Sequence, residues 1–380
     1  MTLIKTQFTI EKLSSSGDGI ARHQGKVVFV PWSVPGDVVT IKIEREQRDF
    51  SAGRLLTIES PSPDRATPPC PYFFKCGGCQ LQQMSYEAQL KWKKEIVRGA
   101  LERIGGLRSA PLSDVIPSPK IWNYRSRIQL HTDRKGRVGF YAAGSHQIVE
   151  IEKCLIADER LNEKLLSLRG VRSSAKDDEA IQMSQLDCFA IARNDDKGAV
   201  ELRTHEGNAF TQINPAQNEN LIRIVREMAG AKNSDRILEL YCGDGNLSLP
   251  LAKDGAKLTA VDRDSAALGE ARKKSDSSGI KNIRFVCGEV LSVVKGLLLE
   301  KRTFDLIVAD PPRKGLEGVT DKLPLFGTQK IISVSCNPAT FARDAKTLSQ
   351  SGYELSDCRP LDMFPHTAHI ELVGLFERKI

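Results

Sequence analysis

The chain has 380 residues, of which 40% are hydrophobic and 27% are charged, and its formal net charge is +7. This length predicts two or three domains, and the composition excludes collagen-like and disordered proteins. No segment approaches the ~18 consecutive apolar residues of a membrane helix, and the first residues lack the apolar core of a signal peptide. We therefore expect a cytoplasmic protein with no membrane partner.

Short strands are expected in the first sixty residues. Alternating apolar and polar residues predict strands at 6–12, 26–31, 38–44 and 53–59, separated by turns rich in Ser, Gly and Pro. This pattern indicates a small barrel. Five prolines between Pro61 and Pro71 disfavour both a helix and an inner strand, so we place a domain boundary there.

Four cysteines of the next region form a candidate metal site. Cys70, Cys76 and Cys79 lie within ten residues, and Cys154 follows alone. In a chain that is not exported, cysteines are more often metal ligands, nucleophiles or core fillers than disulfides. Zinc and a four-iron cluster both accept four thiolates, and spacing does not separate them. The isolated fourth cysteine differs from the paired knuckles of zinc sites and slightly favours the iron cluster.

A helix is predicted at 85–104, where apolar residues recur at helical spacing. It overlaps a basic segment, 91–137, with twelve Lys and Arg residues and four acids, which also contains Trp92, Trp122 and Tyr124. Such a segment is typical of an RNA surface but also of a solvated helix face. Within it, residues 124–127 are the best candidates for contacts with bases or phosphates.

Strands and helices alternate from about residue 212, which predicts an open α/β sheet. The first strand, 236–240, runs into a glycine-rich turn, where the backbone can approach a ligand because no Cβ blocks it. Asp262 ends the second strand and Glu289 follows the third, so acids are placed to bind ribose hydroxyls. Ser248 stands where a dinucleotide site has its third glycine. We therefore expect S-adenosylmethionine rather than NAD.

The fourth and fifth strands, 304–309 and 330–335, end in two further candidates. Two prolines follow Asp310 and fix the backbone there, and Cys336 directly follows the fifth strand. Both residues are expected at the carboxyl edge of the sheet, beside the cofactor. Cys336 is therefore a candidate nucleophile, although an isolated cysteine is more often a core filler.

Four motifs occur in order in the C-terminal half: ELYCGDGN at 239–246, DPPRKG at 310–315, SVSCNPATFARD at 333–344 and LDMFPHTAHIEL at 361–372. Together they resemble the RNA uracil-5 methyltransferase family, in the branch with an N-terminal TRAM domain and an iron–sulfur cluster. The resemblance implies a multidomain α/β protein. An OB-like β-barrel (TRAM) is expected at 1–60, a small β-rich iron–sulfur domain at 70–210, and a Rossmann-like class I methyltransferase domain at 211–380. The helix near 85–105 is expected to pack on the catalytic domain.

The resemblance also implies roles for individual residues. It places the nucleophile on Cys336, the proton acceptor on Glu371, and a [4Fe-4S] cluster on Cys70, Cys76, Cys79 and Cys154. The implied contacts of S-adenosyl-L-methionine are Gln212, Tyr241, Asn246, Asp262, Glu289 and Asp310. These residue types fit the chemistry, because C5 of uracil is a weak nucleophile until a thiolate adds to C6, and a base must later remove the C5 proton.

We expect a monomer that methylates C5 of a uridine in structured RNA. The favoured substrate is 23S ribosomal RNA, and the alternative is the TΨC loop of transfer RNA. A hypothesis from another class is a non-catalytic RNA-binding or chaperone protein. The presence of both Cys336 and Glu371 argues against it, because a binding protein has no need of a nucleophile and a base. An amino-group methyltransferase that uses the Asp310-Pro311-Pro312 turn does not need Cys336.

Overall fold

The computed structural model describes residues 6–133, 137–174, 199–204 and 212–379. The N-terminal part is a six-stranded sheet, β1-β5-β6-β4-β3-β2, around a small apolar core that includes Phe8, Val28 and Ile41. Its strands are β1 (Thr6–Thr9), β2 (Lys12–Leu13), β3 (Gly19–His23), β4 (Lys26–Val30), β5 (Val38–Glu46) and β6 (Phe50–Ser60). The sequence pattern did not predict β3, because the Ser- and Gly-rich residues before it were assigned to a longer turn.

A helix and a second sheet follow the proline-rich segment. Helix α1 (Tyr86–Ala100) begins after Ser85, whose Oγ accepts a hydrogen bond from the Ala88 N–H at 3.2 Å, and continues as a π-helical turn, Leu101–Gly105. The strands of this sheet are β7 (Arg127–Thr132), β8 (Val138–Tyr141), β9 (Ile148–Val149) and β10 (Ala199–Arg203), and they pair in the order β10-β7-β8-β9. Helix α2 (Glu159–Ser174) follows β9 in the chain.

The C-terminal part is a seven-stranded sheet flanked by helices. The helices are α3 (Pro215–Ala229), α4 (Ser248–Lys253), α5 (Ser265–Ser277), α6 (Val290–Leu299) and α7 (Pro338–Gln350), with a 3₁₀ turn at Thr320–Phe326. The strands are β11 (Arg236–Leu240), β12 (Lys257–Asp262), β13 (Ile283–Cys287), β14 (Leu306–Ala309), β15 (Lys330–Ser335), β16 (Tyr353–Leu361) and β17 (Glu371–Arg378). The five predicted strands of this region are confirmed within two residues at each end.

Strand order places the functional residues at one edge of this sheet. The order is β13-β12-β11-β14-β15-β17-β16, with β11 to β15 parallel and β17 antiparallel to both of its neighbours. Because β17 runs in the opposite direction, its first residue lies at the same edge as the last residues of the parallel strands. The carboxyl ends of β11 to β15 and the start of β17 therefore meet.

Helix α1 and its π-helical turn pack against α7 on one face of this sheet, although they precede the sheet by more than 130 residues. Val97, Ala100 and Leu101 are buried in the same apolar core as Leu238 and Leu240 of β11. This burial removes the apolar face of α1 from water and stabilises its position. Among the described residues, no helix is long and apolar enough to span a membrane.

Candidate active site

Three predicted residues meet at the carboxyl edge of the seven-stranded sheet. Asp310 follows β14, Cys336 follows β15, and Glu371 opens β17. Strand β15 lies between β14 and β17, and its last residue, Ser335, pairs with Leu372. Cys336 therefore lies between the strand ends that carry the two carboxyls, and the charges of both carboxyls act on its thiol.

Burial and mutual repulsion favour the neutral forms of these groups. Burial raises the pKa of Asp310 to about 7. Burial and then the charge of Asp310 raise the pKa of Glu371 well above its usual range. Burial, followed by the charge of Glu371, raises the pKa of the Cys336 thiol to about 11. The free thiol is therefore protonated at neutral pH, and forming the thiolate requires a nearby base or positive charge.

Arg313, for which the sequence predicts no role, supplies a positive charge to the site. Its charge opposes the rise in the pKa of Cys336. The guanidinium lies 3.2 Å from Nε2 of His369, and burial, more than the charge of Arg313, lowers the pKa of that histidine to about 4. The imidazole is therefore neutral and can accept a hydrogen bond from Arg313. The only signal of this role in the sequence is an arginine three residues after Asp310.

A hydrogen bond also links the loops that carry Asp310 and Cys336. The side-chain Nδ2 of Asn337 donates to the carbonyl of Arg313 at 3.3 Å. The Oδ1 of Asn337 accepts from the N–H of Ala339 at 3.0 Å and caps α7. The residue after the candidate nucleophile therefore fixes both the loop after β14 and the start of the next helix.

The glycine-rich turn after β11 has the backbone shape that its sequence predicts. Tyr241, Gly243 and Gly245 have positive φ angles of 63°, 53° and 87°. The Gly243 N–H donates to one carboxylate oxygen of Asp262 at 2.8 Å, and the Asp264 N–H donates to the other at 2.9 Å. Each oxygen of Asp262 keeps a lone pair, so the carboxylate can still accept a hydrogen bond from a ribose hydroxyl.

Ser248, which departs from the dinucleotide pattern, has a structural partner. Its hydroxyl donates to the buried carboxyl of Glu239, whose pKa burial raises to about 8. The charges of Asp310 and Asp262 also raise this pKa, so several carboxyls lie near one another at the sheet edge. A bound cation such as a sulfonium favours ionisation of these carboxyls, whereas a bound phosphate disfavours it. The site therefore fits S-adenosylmethionine better than a dinucleotide.

The six expected cofactor contacts fall into two groups. The first group lies along the ends of β11 to β14 and consists of Tyr241, Asp262, Glu289 and Asp310. Burial, followed by the charges of Glu289 and Asp262, raises the pKa of Tyr241. Gln212 and Asn246 line a cavity of about 500 Å³ together with Asp244 and Lys274. Asn246 also exchanges hydrogen bonds of 2.8 and 2.9 Å with Asn218 of α3. The glycine-rich turn joins the groups, because it begins at Tyr241 and ends at Asn246.

The β16–β17 connection, residues 362–370, leads directly into Glu371. Lys93 of α1 is fully buried against it, with Nζ 2.6 Å from Oδ1 of Asp362 and 3.0 Å from the carbonyl of Phe364. His366 is buried and stacks on Trp122, with ring centroids 3.7 Å apart. These contacts support a structural role for His366, and they occupy one face of the Trp122 ring.

The basic segment offers RNA less charge than its composition indicates. Arg127 lies 3.8 Å from Glu201, and Tyr124 is buried with its hydroxyl donating to the carbonyl of Pro365 at 3.1 Å. Further ion pairs involve Lys91, Lys93, Lys94, Arg98 and Arg137. Two of its cations, at 134 and 135, lie outside the described residues. The prediction that 124–127 contact RNA is therefore wrong for Tyr124, because folding buries it.

Cys70, Cys76, Cys79 and Cys154 line one cavity of about 60 Å³. Their thiols are free, and burial raises the pKa of Cys76 to about 11 and that of Cys79 to about 12. Arg125 lines the same cavity, and its buried Nε has no hydrogen-bond partner within the described part of the chain. The cavity therefore combines four thiols with a cation whose charge favours thiolates.

No set of three or more His, Cys, Asp or Glu side chains is placed to hold a metal ion in the described ranges. Four thiolates around one zinc ion would lie only about 3.8 Å apart, given a Zn–S distance of about 2.3 Å. The four cysteines share a cavity without converging in this way.

Two family models match the chain. The model described as tRNA (Uracil-5-)-methyltransferase matches residues 194–379, and the TRAM domain model matches residues 8–56. An RNA methyltransferase of Aquifex aeolicus is 31% identical, with 98% of both chains covered. A 23S rRNA (uracil(1939)-C(5))-methyltransferase RlmD of Alcanivorax borkumensis is also 31% identical, with 97% of this chain and 96% of the relative covered.

A solved structure is similar over almost the whole chain. It is the Pyrococcus abyssi tRNA (uracil-54, C5)-methyltransferase in complex with S-adenosyl-L-homocysteine, which is 25% identical, with a TM-score of 0.71. The similarity covers 98% of this chain and 100% of the other. The relationship therefore includes the N-terminal barrel and the central sheet as well as the α/β sheet.

Proposed function

The chain belongs to the RNA uracil-5-methyltransferase family, and on this premise we propose that it methylates C5 of one uridine in 23S ribosomal RNA. Family membership makes it an S-adenosylmethionine-dependent RNA methyltransferase with an N-terminal TRAM domain. We assign the active site to the sheet edge at which Cys336, Asp310 and Glu371 meet. We propose that the protein acts as a monomer in the cytoplasm.

In this proposal Cys336 is the nucleophile. Its sulfur forms a bond to C6 of uracil, and the C5–C6 π electrons move to give an enolate at O4. The attack requires the thiolate form of Cys336. Burial disfavours this form, because it raises the pKa of the thiol to about 11. Arg313 is the group that favours the thiolate, because its charge lowers this pKa.

S-adenosylmethionine supplies an electrophilic methyl group when it is bound. Asp262 would accept hydrogen bonds from its ribose, and the other expected contacts are Gln212, Tyr241, Asn246, Glu289 and Asp310. The enolate electrons would form the bond from C5 to the methyl carbon as the bond from that carbon to the sulfonium sulfur breaks, and the sulfur would keep the electron pair of the broken bond as S-adenosylhomocysteine leaves. A positive charge on the bound cofactor would favour the ionised forms of the carboxyls around Asp310, whose pKa burial raises to about 7.

Glu371 then acts as the base. It takes the proton from C5, the electrons of that C–H bond restore the C5–C6 double bond, and the C6–S bond breaks to release Cys336. Burial and Asp310 raise the pKa of Glu371, which makes its carboxylate a stronger base than that of an exposed glutamate. Proton removal is therefore the step that depends most on the position and charge of Glu371.

We also propose that Cys70, Cys76, Cys79 and Cys154 hold a [4Fe-4S] cluster. A four-iron cluster is held by four cysteine thiolates, and these four cysteines line one cavity. The cavity is small and largely apolar, and the unpartnered Nε of Arg125 lies in it. When bound, the cluster would serve as a structural crosslink between the loop of the first three cysteines and Cys154.

The proposed domains are a TRAM barrel at 1–60, an iron–sulfur domain at 70–210 and a catalytic domain at 211–380. The first sheet and the proline-rich segment after it support the first boundary. Part of the central range lies outside the described residues. The proposed RNA site is formed between these parts, where a target base leaves its stack to expose both faces of C5 and C6.

Transfer RNA is the second candidate substrate. It is favoured by the matched family model and by the Pyrococcus abyssi structure, whereas ribosomal RNA is favoured by the RlmD relatives at 28–31% identity. The deciding experiment maps 5-methyluridine in 23S and transfer RNA from cells with and without the gene. Loss of one 23S site on deletion supports the proposal, and loss confined to transfer RNA contradicts it.

A further inference from the structure

We propose that Gln80 is a positioning residue for the removal of the C5 proton. It lies next to Cys79 and holds the β16–β17 connection, which leads into Glu371. The inference rests on the proposed function, because it assumes that Glu371 is the base. It adds that the cysteine-bearing loop, residues 76–81, sets the position of that base.

The Gln80 side chain joins the two segments directly. Its Oε1 accepts a hydrogen bond from the N–H of Ala368 at 3.4 Å, and its Nε2 donates to the carbonyl of Gly77 at 2.8 Å. The backbone N–H groups of Gln80 and Leu81 both donate to the carbonyl of His366 at 3.0 Å. Three hydrogen bonds therefore cross from the cysteine-bearing loop to residues 366–368.

The loop itself is anchored in the central sheet. The Gly77 N–H donates to the carbonyl of Tyr141 in β8 at 2.9 Å, and the Cys76 N–H donates to the carbonyl of Tyr72 at 2.8 Å. A Cβ on Gly77 would lie 3.2 Å from the Tyr141 oxygen, so the two backbones are in close contact. Gln80 thus connects a fixed support to the β16–β17 connection.

The N-terminal barrel completes the junction. Gly17 has a φ of +88°. A Cβ added to Gly17 would lie 3.1 Å from the Cβ atoms of both Gln80 and Ala368. The residue is therefore in tight contact with both partners. Gly17, Gln80 and Ala368 form a junction among the barrel, the cysteine-bearing loop and the catalytic sheet.

Only two residues separate Ala368 from Glu371. His369 contacts Arg313, Ile370 is buried in the apolar core, and Glu371 pairs with Leu361 at the start of β17. A shift at Ala368 would therefore change both the contact with Arg313 and the entry into β17. Misplacement of a catalytic group by about 1 Å can slow a reaction by roughly 100-fold.

The test measures the covalent protein–RNA adduct in single-turnover reactions with unmodified substrate RNA. Gln80→Ala should form the adduct but resolve it about 10- to 100-fold more slowly, with KM for RNA changed by less than about threefold. Gly17→Ala perturbs the same junction from the barrel and should slow resolution in the same direction. Gln147→Ala removes an exposed glutamine of the central region and should resolve the adduct at the wild-type rate.

Glu371→Gln is measured beside these variants to separate the two claims. If Glu371→Gln accumulates adduct while Gln80→Ala and Gly17→Ala resolve it normally, the positioning role is wrong and the proposed function stands. If Glu371→Gln itself resolves adduct at the wild-type rate, the proposed base is wrong. Equal loss of adduct formation and resolution in both junction variants, or loss of the metal at the cysteine site, would also overturn the positioning role.

Discussion

Asp310, which is half-buried, and Glu371, which is buried, flank Cys336 at the ends of β14 and β17, and the charge of Asp310 raises the pKa of Glu371. The pairing depends on strand direction. Asp310 follows a parallel strand, whereas Glu371 opens an antiparallel one, so residues 61 positions apart reach the same edge. Because Asp310 lies near Glu371, the carboxylate of Glu371 is a stronger base, and ionisation of Glu371 lowers the stability of the fold.

Glu371→Gln is expected to stabilise the fold at neutral pH. The folded state binds the Glu371 proton more tightly than the unfolded chain does. The stabilisation of the fold by this proton is therefore fully present below about pH 4, and it is lost as the pH rises toward the pKa that Glu371 has in the folded state. The variant should therefore have a higher free energy of unfolding than the wild type at pH 7, and the difference should shrink as the pH falls to 4. Urea denaturation at several pH values measures this difference.

Glu377→Gln, on the outer part of the same strand, is the matched control and should change the free energy of unfolding by less than about 0.5 kcal/mol. A Glu371→Gln protein with the stability and pH dependence of the wild type would show that this carboxyl carries no raised pKa.

Arg313→Gln is expected to slow formation of the Cys336 adduct. Removing the positive charge raises the pKa of the thiol further, so less thiolate is present at a given pH. The rate should fall by about 3- to 30-fold near pH 8, and its rise with pH should move to higher pH. Rapid-quench measurement of the adduct gives both values.

Lys314→Gln removes an exposed charge from the neighbouring position and serves as the control. Equal effects of the two substitutions would mean that Arg313 acts through overall RNA attraction rather than on the thiol.

Lys93→Met is expected to destabilise the fold by about 3–5 kcal/mol, because it leaves the buried Asp362 carboxylate without its partner. The double variant Lys93→Met/Asp362→Leu should recover much of this loss, since no buried charge remains. Chemical denaturation measures both. Lys91→Met removes an exposed ion pair on the same helix and should cost less than about 1 kcal/mol. A small effect of Lys93→Met would contradict the burial of this pair.

The cysteine site gives a prediction that requires no activity assay. Protein purified without oxygen should be brown and contain about four irons per chain, and Cys154→Ser should reduce this content. Arg125→Leu removes the cation in the cavity and should accelerate iron loss to a chelator several-fold. Arg160→Leu, an exposed arginine of the same region, should not. Colourless protein with one zinc would reject the cluster.

The sequence predicted those features that depend on local pattern. Asp262, Asp310 and Cys336 were assigned to strand ends because apolar runs stop just before them, and parallel strands bring such ends together. Glu371 was assigned from a motif resemblance, since its own surroundings in the sequence show only the start of an apolar run. Its proximity to Asp310 requires the insertion of β17 beside β15.

The remaining features depend on long-range contacts. Lys93 and Asp362 are 269 residues apart, and Gln80 and Ala368 are 288 apart, so no local periodicity relates them. The same contacts explain why the charge of the basic segment was overestimated as an RNA surface. Lys91, Lys93 and Arg127 are paired with acids that only folding brings near, as in the contact of Arg127 with Glu201.

The central claim is that Cys336 attacks C6 and Glu371 removes the C5 proton. The most direct test uses substrate RNA with 5-fluorouridine at the target, because fluorine cannot leave as a cation and the adduct cannot resolve. With S-adenosylmethionine present, the account predicts one methylation and a stable protein–RNA adduct whose RNA-linked peptide contains Cys336. Methylation without an adduct, or an adduct that persists in Cys336→Ala, would contradict it.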